Sequence, residues 1–246
     1  MELAIDTATE IASIALSSAG KVEAEMSWPA GQNHTVELIP NLLHLLRQAK
    51  MELEGEAGSV GRAKIEAIIV AKGPGSFNGL RVGVGTAKGL AFALDIPLVG
   101  IGTLEAEAFP YARTGLPICP VQDAGRGEIA TALYQVQNGE WQRLVAEHIT
   151  TVEQLCPKIV SRTLFCGRFS LDIMQQITER MGEQAVILPG MLRRAGFLAE
   201  LGWKRLEMGD LDHPATLQPL YLRRPAITTP RKEKRWRLGE GNPFCR

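Results

Sequence analysis

The sequence predicts an α/β protein of two lobes with duplicated βββαβα topology, and three observations carry that prediction. Three short β-prone runs open the chain, and three more begin near residue 117. Each trio is followed by a helical stretch, a strand and a second helix, so the element order repeats. The composition, 45% hydrophobic and 22% charged with 27 Lys and Arg against 27 Asp and Glu, is that of a globular chain and excludes disorder, collagen and coiled coil.

Taken in order, residues 2 to 7 (ELAIDT), 11 to 18 (IASIALSS) and 21 to 28 (KVEAEMSW) read as three antiparallel strands, the last two joined at Ala19-Gly20. Residues 35 to 50 place apolar side chains at helical spacing, with Thr35 as the expected N-cap and Pro40 in or near the first turn. Residues 65 to 71 (IEAIIVA) form a continuous apolar strand of the kind buried on both faces. This strand runs into Gly73-Pro74-Gly75-Ser76-Phe77-Asn78-Gly79, a helix from about 80 to 94 and a strand at 97 to 101. In the second half, 117 to 123, 128 to 136 and 141 to 149 are strands, with a hairpin turn at Asn138-Gly139. Thr151 and Gln154 make a capping box for the helix VEQLCPKIV, followed by a strand at 163 to 166 and a helix at 171 to 181. Residues 186 to 188, a helix at 191 to 206 and the closing LQPLYLRRP read as additions. The division expected is 1–105 and 106–225 for the lobes, then a basic, flexible tail at 226–246. Residues 223 to 246 hold eight basic and two acidic side chains, leaving the remainder acidic by the same excess of six.

No run of about 18 apolar residues occurs, and the first residues open into a strand, so neither a membrane span nor a signal peptide is expected. Cys119, Cys156, Cys166 and Cys245 are too widely spaced for a CxxC pair and read as buried, reduced thiols of a cytoplasmic protein.

The glycine-rich segment fits neither phosphate-binding template, since Asn78 and Gly79 stand where GxxxxGK[ST] needs Gly and Lys, and Asn78 takes the third glycine position of GxGxxG. Two readings stay open: backbone amides facing an anion at a helix N-terminus, or a tight turn that needs glycine for close packing. Asp6, with Thr7 beside it, likewise reads either as a carboxylate beside a nucleotide's metal or as a turn closing the first hairpin. Asp6, Thr7, Gly73 and Gly75 are therefore the candidates for a vestigial nucleotide site. His34 and His44 are ten residues apart and point about 80° from each other on a helix, so no metal site is expected. No GxSxG and no nucleophile with a visible base occur, and no catalytic residue is assigned.

The helix at 35 to 50 spreads its apolar residues over about 180°, whereas packing on one sheet uses about 100°. The helix at 80 to 94 is apolar or small almost all round, and Gly83, Gly85 and Gly89 would let another backbone approach. Either further layers of the chain cover this surface or a partner does; the sequence reading prefers a partner, at Val36, Ile39, Leu43, Leu46, Val84, Lys88 and Ala91.

Several segments, Ile5-Asp6-Thr7-Ala8-Thr9, His34-Thr35 ahead of Leu38-Ile39-Pro40, the block from Lys72 to Gly83 (KGPGSFNGLRVG), Pro97-Leu98-Val99-Gly100-Ile101 and Pro219-Leu220-Tyr221-Leu222-Arg223, closely resemble the TsaB family of threonylcarbamoyladenosine biosynthesis proteins. The resemblance covers essentially residues 1 to 225. It implies the actin-like, sugar-kinase-like ATPase fold of the RNase H-like class. It implies a role in making N6-threonylcarbamoyladenosine (t6A) at adenosine 37 of tRNA, as the non-catalytic partner that binds and activates the paralogous TsaD. TsaE would join a ternary complex, a homodimer would form when the chain is alone, and tRNA would be met indirectly. ATP and Mg would belong to the wider complex, with no cofactor required by this chain. TsaD-type proteins carry a metal-binding HxxxH where this chain has Thr103 and Glu107, which fits a pseudoenzyme. The alternative reading is a stand-alone ATP-dependent phospho- or acyl-transferase using Asp6 and the glycine-rich turn. A peptidase has no supporting residue set.

Overall fold

The computed structural model describes residues 1–49, 64–188 and 193–223. In the first lobe β1 (Glu2–Asp6), β2 (Ile11–Ser18) and β3 (Lys21–Pro29) pair antiparallel. Next, β4 (Ala67–Gly73) and β5 (Leu98–Gly102) add in parallel to give the order β3-β2-β1-β4-β5. In the second lobe β6 (Ile118–Gly125), β7 (Glu128–Gln137), β8 (Glu140–Thr150), β9 (Thr163–Cys166) and β10 (Ala185–Ile187) lie in the order β10-β9-β6-β7-β8. From β8 to β10 this repeats the first sheet, including which neighbours are antiparallel and which parallel. The duplication that element order suggested is therefore present in the strand pairing, and the protein is a two-lobed α/β molecule of the actin-like, sugar-kinase-like fold.

Helices cover both faces of each sheet, which is why the strand read as continuously apolar, β4, is buried along most of its length. α1 (His34–Gln48) and α2 (Phe77–Leu94) pack on the outer face of the first sheet through Leu38, Leu42, Leu45, Val84 and Ala87. α3 (Thr103–Ala108), continued by a 3-10 turn over Phe109–Thr114, sits on the second sheet through Leu104 and Ala108. α4 (Val152–Leu155) and α5 (Leu171–Met181) cover that sheet's other face. α6 (Ala195–Glu207) returns to the first sheet, burying Ala195, Leu198 and Ala199 against Ala4, Ala15 and Ile69. The chain beyond it stays there: the Asp212 amide donates to the Leu98 carbonyl at 2.8 Å, and the Leu220 amide donates to that of Lys72.

Several sequence expectations need correction. β10 and α6 are not additions; they repeat β5 and α3, and three residues of strand gave too little pattern to show it. The first lobe has three layers, because α6 crosses from the second half to cover the first sheet. α1 starts at His34 behind Asn33 rather than at Thr35, so Pro40 lies in its second turn. α2 starts at Phe77 because the Ser76 hydroxyl accepts from the Gly79 amide. α4 ends after four residues and becomes a 3-10 turn at Pro157, whose ring cannot continue the helix's hydrogen bonding. The expected tail lies outside the described residues, as do Lys50 and Cys245.

Candidate functional site

The end of β1 and the glycine-rich segment meet between the lobes. β1 ends on Asp6, whose Oδ1 accepts from the Ala8 amide at 2.9 Å and so shapes the turn. Thr7 Oγ1 donates to the Gly79 carbonyl at 2.7 Å, and the Ser76 amide donates to the Ala8 carbonyl at 2.8 Å. A Cβ on Gly75 would stand 2.3 Å from the Ala8 carbonyl oxygen, on Gly79 2.1 Å from that of Thr7, and on Gly83 2.1 Å from Thr7 Oγ1. Gly73, at φ +111°, faces the Leu220 carbonyl oxygen at 2.7 Å in the same sense. Close packing of the chain on itself therefore accounts for these glycines. His34 belongs to the same knot, buried, with Nε2 2.8 Å from the Thr9 carbonyl oxygen.

Asp6 is also taken. Arg193, just ahead of α6, donates from Nε to Asp6 Oδ2 and from Nη2 to Oδ1 at 3.0 Å, a bidentate pair. Its Nη1 reaches Glu107 Oε2 at 3.3 Å, and all three side chains are nearly inaccessible. Burial alone would pull the guanidinium's pKa down; Asp6 and Glu107 outweigh it and raise the value. Burial pushes the Glu107 carboxyl up, with Arg193 opposing. A cavity of about 10 Å³ remains beside these groups, room for about one water molecule. A nucleotide-bound metal does not fit here, because a fixed guanidinium stands between the carboxylates that would hold it. The larger interlobe cavity, about 420 Å³, lies on the other side of the glycine-rich segment between Gly75, Phe77, Asp123 and Tyr221.

The second candidate surface is the outer side of α1 and α2. Val36, Ile39 and Leu43, at i, i+3 and i+7, are 67%, 43% and 36% exposed. On α2 the matching stripe is Gly85, Gly89 and Phe92, the last 81% exposed; a Cβ on either glycine would meet nothing within 4 Å among the described residues. Leu46, Val84 and Ala91 do not join this surface: all three are buried in the chain's own core against the first sheet. Lys88 is half-buried, its Nζ donating to the Leu217 carbonyl at 2.9 Å. Phe92 was missed by the sequence reading, although its i, i+4, i+7 spacing with Gly85 and Gly89 was visible. Arg193 carried no sequence signal.

The chain matches the TsaD model, described as tRNA N6-adenosine threonylcarbamoyltransferase, over residues 29–179. It is 33% identical to the tRNA threonylcarbamoyladenosine biosynthesis protein TsaB of Bacillus subtilis, over 90% of this chain and 93% of that one. The chain belongs to the TsaB family. A TsaB of Haemophilus influenzae is 26% identical over 90% of this chain and 92% of its own. The crystal structure of YeaZ from Pseudomonas aeruginosa superposes with a TM-score of 0.75 at 25% identity, covering 90% of this chain and 99% of that one. A second Pseudomonas aeruginosa structure, described as similar to peptidase YEAZ, superposes equally well at 26% identity over the same shares. In this TsaB-family chain the residues do not favour peptidase chemistry. Ser76 caps α2, and burial pushes the Cys119 thiol up to about 12, far from an activated nucleophile. Thr103 is buried with a hydroxyl that finds no partner among the described residues, and Glu107 is held by Arg193.

Proposed function

We propose that this chain is an accessory subunit of tRNA threonylcarbamoyladenosine synthesis that binds and activates TsaD, the subunit transferring the threonylcarbamoyl group to adenosine 37. Membership of the TsaB family supports the pathway. The observation that carries the partner role is the apolar stripe Val36, Ile39 and Leu43 beside the bare glycines and Phe92 of α2. Two glycines in a helix interior cost roughly 0.5–1 kcal/mol each against alanine, and nothing among the described residues lies within 4 Å to require them. A closely approaching helix from a related subunit would. The match to the TsaD model suggests that this partner shares the fold, so equivalent helices would face one another. A homodimer through the same faces forms in its absence, TsaE joins the complex, and tRNA is met through TsaD. The setting is cytoplasmic, and ATP and Mg act elsewhere in the assembly.

The test is the Ile39→Glu/Leu43→Glu double variant. Both side chains already meet solvent, so the variant should fold with nearly unchanged Tm while association with TsaD weakens at least about tenfold through charge placed in an apolar contact. Leu46→Glu is unsuitable, since that side chain is 2% exposed and its loss would unfold the core. Undiminished TsaD binding by the double variant would remove this surface from the interface.

A further inference from the structure

Two carboxylates from different parts of the molecule are buried together between the lobes: Asp6 at the end of β1 and Glu107 on α3. Two carboxylates buried side by side stay ionised only with a cation at hand, and in an interlobe position that cation could come from solution or from the chain. Here the chain supplies it. Arg193 makes two hydrogen bonds to Asp6 and one to Glu107, and its side chain is 7% exposed. Arg193 lies next to Arg194, the N-cap of the helix that crosses from the second lobe to the first sheet. One guanidinium therefore links β1, α3 and the start of α6.

We propose that Arg193 is a built-in cation that takes the place of a divalent metal between Asp6 and Glu107 and latches the cleft shut around α6. The chain then holds the closed arrangement without metal or nucleotide. Arginine suits this better than lysine, because its planar fork satisfies both Asp6 oxygens and still reaches a second carboxylate. The gap of about 10 Å³ beside it leaves no room for a phosphate while the guanidinium is in place.

The experiment is a stability cycle with a cation arm, using the full chain. Arg193→Met leaves two uncompensated buried carboxylates and should lower Tm by roughly 6–20 °C. Adding Asp6→Asn and Glu107→Gln to it should return most of that loss, because the charges needing compensation are gone. With 10 mM MgCl2 or MnCl2 the wild-type Tm should stay fixed, whereas that of Arg193→Met should rise by roughly 3–5 °C if the vacated position binds at about 1 mM. Should Arg193→Met fail to accumulate folded, the Asp6→Asn/Glu107→Gln variant that keeps Arg193 replaces it. That variant buries an unpaired guanidinium, so its Tm should lie several degrees below that of the triple variant. A triple variant no more stable than either parent, or an Arg193→Met Tm indifferent to both cations, overturns the proposal.

Discussion

Replacing Gly79 with alanine separates a loop that grips the chain's own backbone from one kept free for an anion. A Cβ there would stand 2.1 Å from the Thr7 carbonyl oxygen, which is backbone and cannot swing aside. The turn after β1 has to move, and with it the 2.7 Å hydrogen bond from Thr7 Oγ1 to the Gly79 carbonyl. Overpacking costs about 1–3 kcal/mol and the broken hydrogen bond about 1 kcal/mol, against about 0.5–1 kcal/mol returned by helix propensity. The net is roughly 1–3.5 kcal/mol, a Tm lower by roughly 2–14 °C for a chain of this size. Gly85→Ala is the control, melted at a dilution where the chain is monomeric: it lies on the same helix with nothing among the described residues within 4 Å of the added carbon, so it should raise Tm by roughly 1–4 °C. Differential scanning calorimetry reads both. A Gly79→Ala protein as stable as wild type would refute the packing explanation of the glycine-rich segment.

Other substitutions test the burial assignments. Glu105 is raised by burial and then by the neighbouring Glu147 carboxylate, so the stability it contributes is full below its ordinary 4.5 and is lost as pH rises through the folded value. Glu105→Gln should therefore have the higher Tm at about pH 8, with the two curves converging as pH falls toward the ordinary carboxylate range; thermal melts across pH would show it. Cys119, with a thiol pushed up to about 12 by burial, should resist a thiol reagent at neutral pH until urea unfolds the chain. Leu42→Ala, at a site 1% exposed, should cost about 2–5 kcal/mol in urea unfolding, whereas Ile39→Ala, 43% exposed, should cost well under about 1.5 kcal/mol.

What could be read from the sequence was what local pattern carries. β9 and α5 agree residue for residue with expectation because a short apolar strand and a 3.6-residue stripe behind a Ser170 cap are complete local signals. The outward set Val36, Ile39 and Leu43 also follows from periodicity, but the inward members Leu46, Val84 and Ala91 did not separate from it. An arc of apolar residues about 180° wide does not say which part faces the sheet. α3 escaped notice because six residues, Thr103–Ala108, followed by a 3-10 turn with Pro110 hold too few turns for a period. The largest omission was long-range: α6 covers the lobe that precedes it, and Arg193 pairs with Asp6 across 187 positions. No spacing rule connects residues that far apart, so the sequence could not show that Asp6 is paired within the chain.

The central claim is that this chain acts by docking on TsaD through the outer face of α1 and α2, and its most direct measurement is a titration of t6A formation. With purified TsaD, tRNA and the threonylcarbamoyl donor held constant, increasing amounts of this chain should raise the rate to a plateau set by the TsaD concentration. The Ile39→Glu/Leu43→Glu protein should require at least about tenfold more to approach it. Full t6A formation by TsaD without this chain, or by this chain without TsaD, would contradict the account.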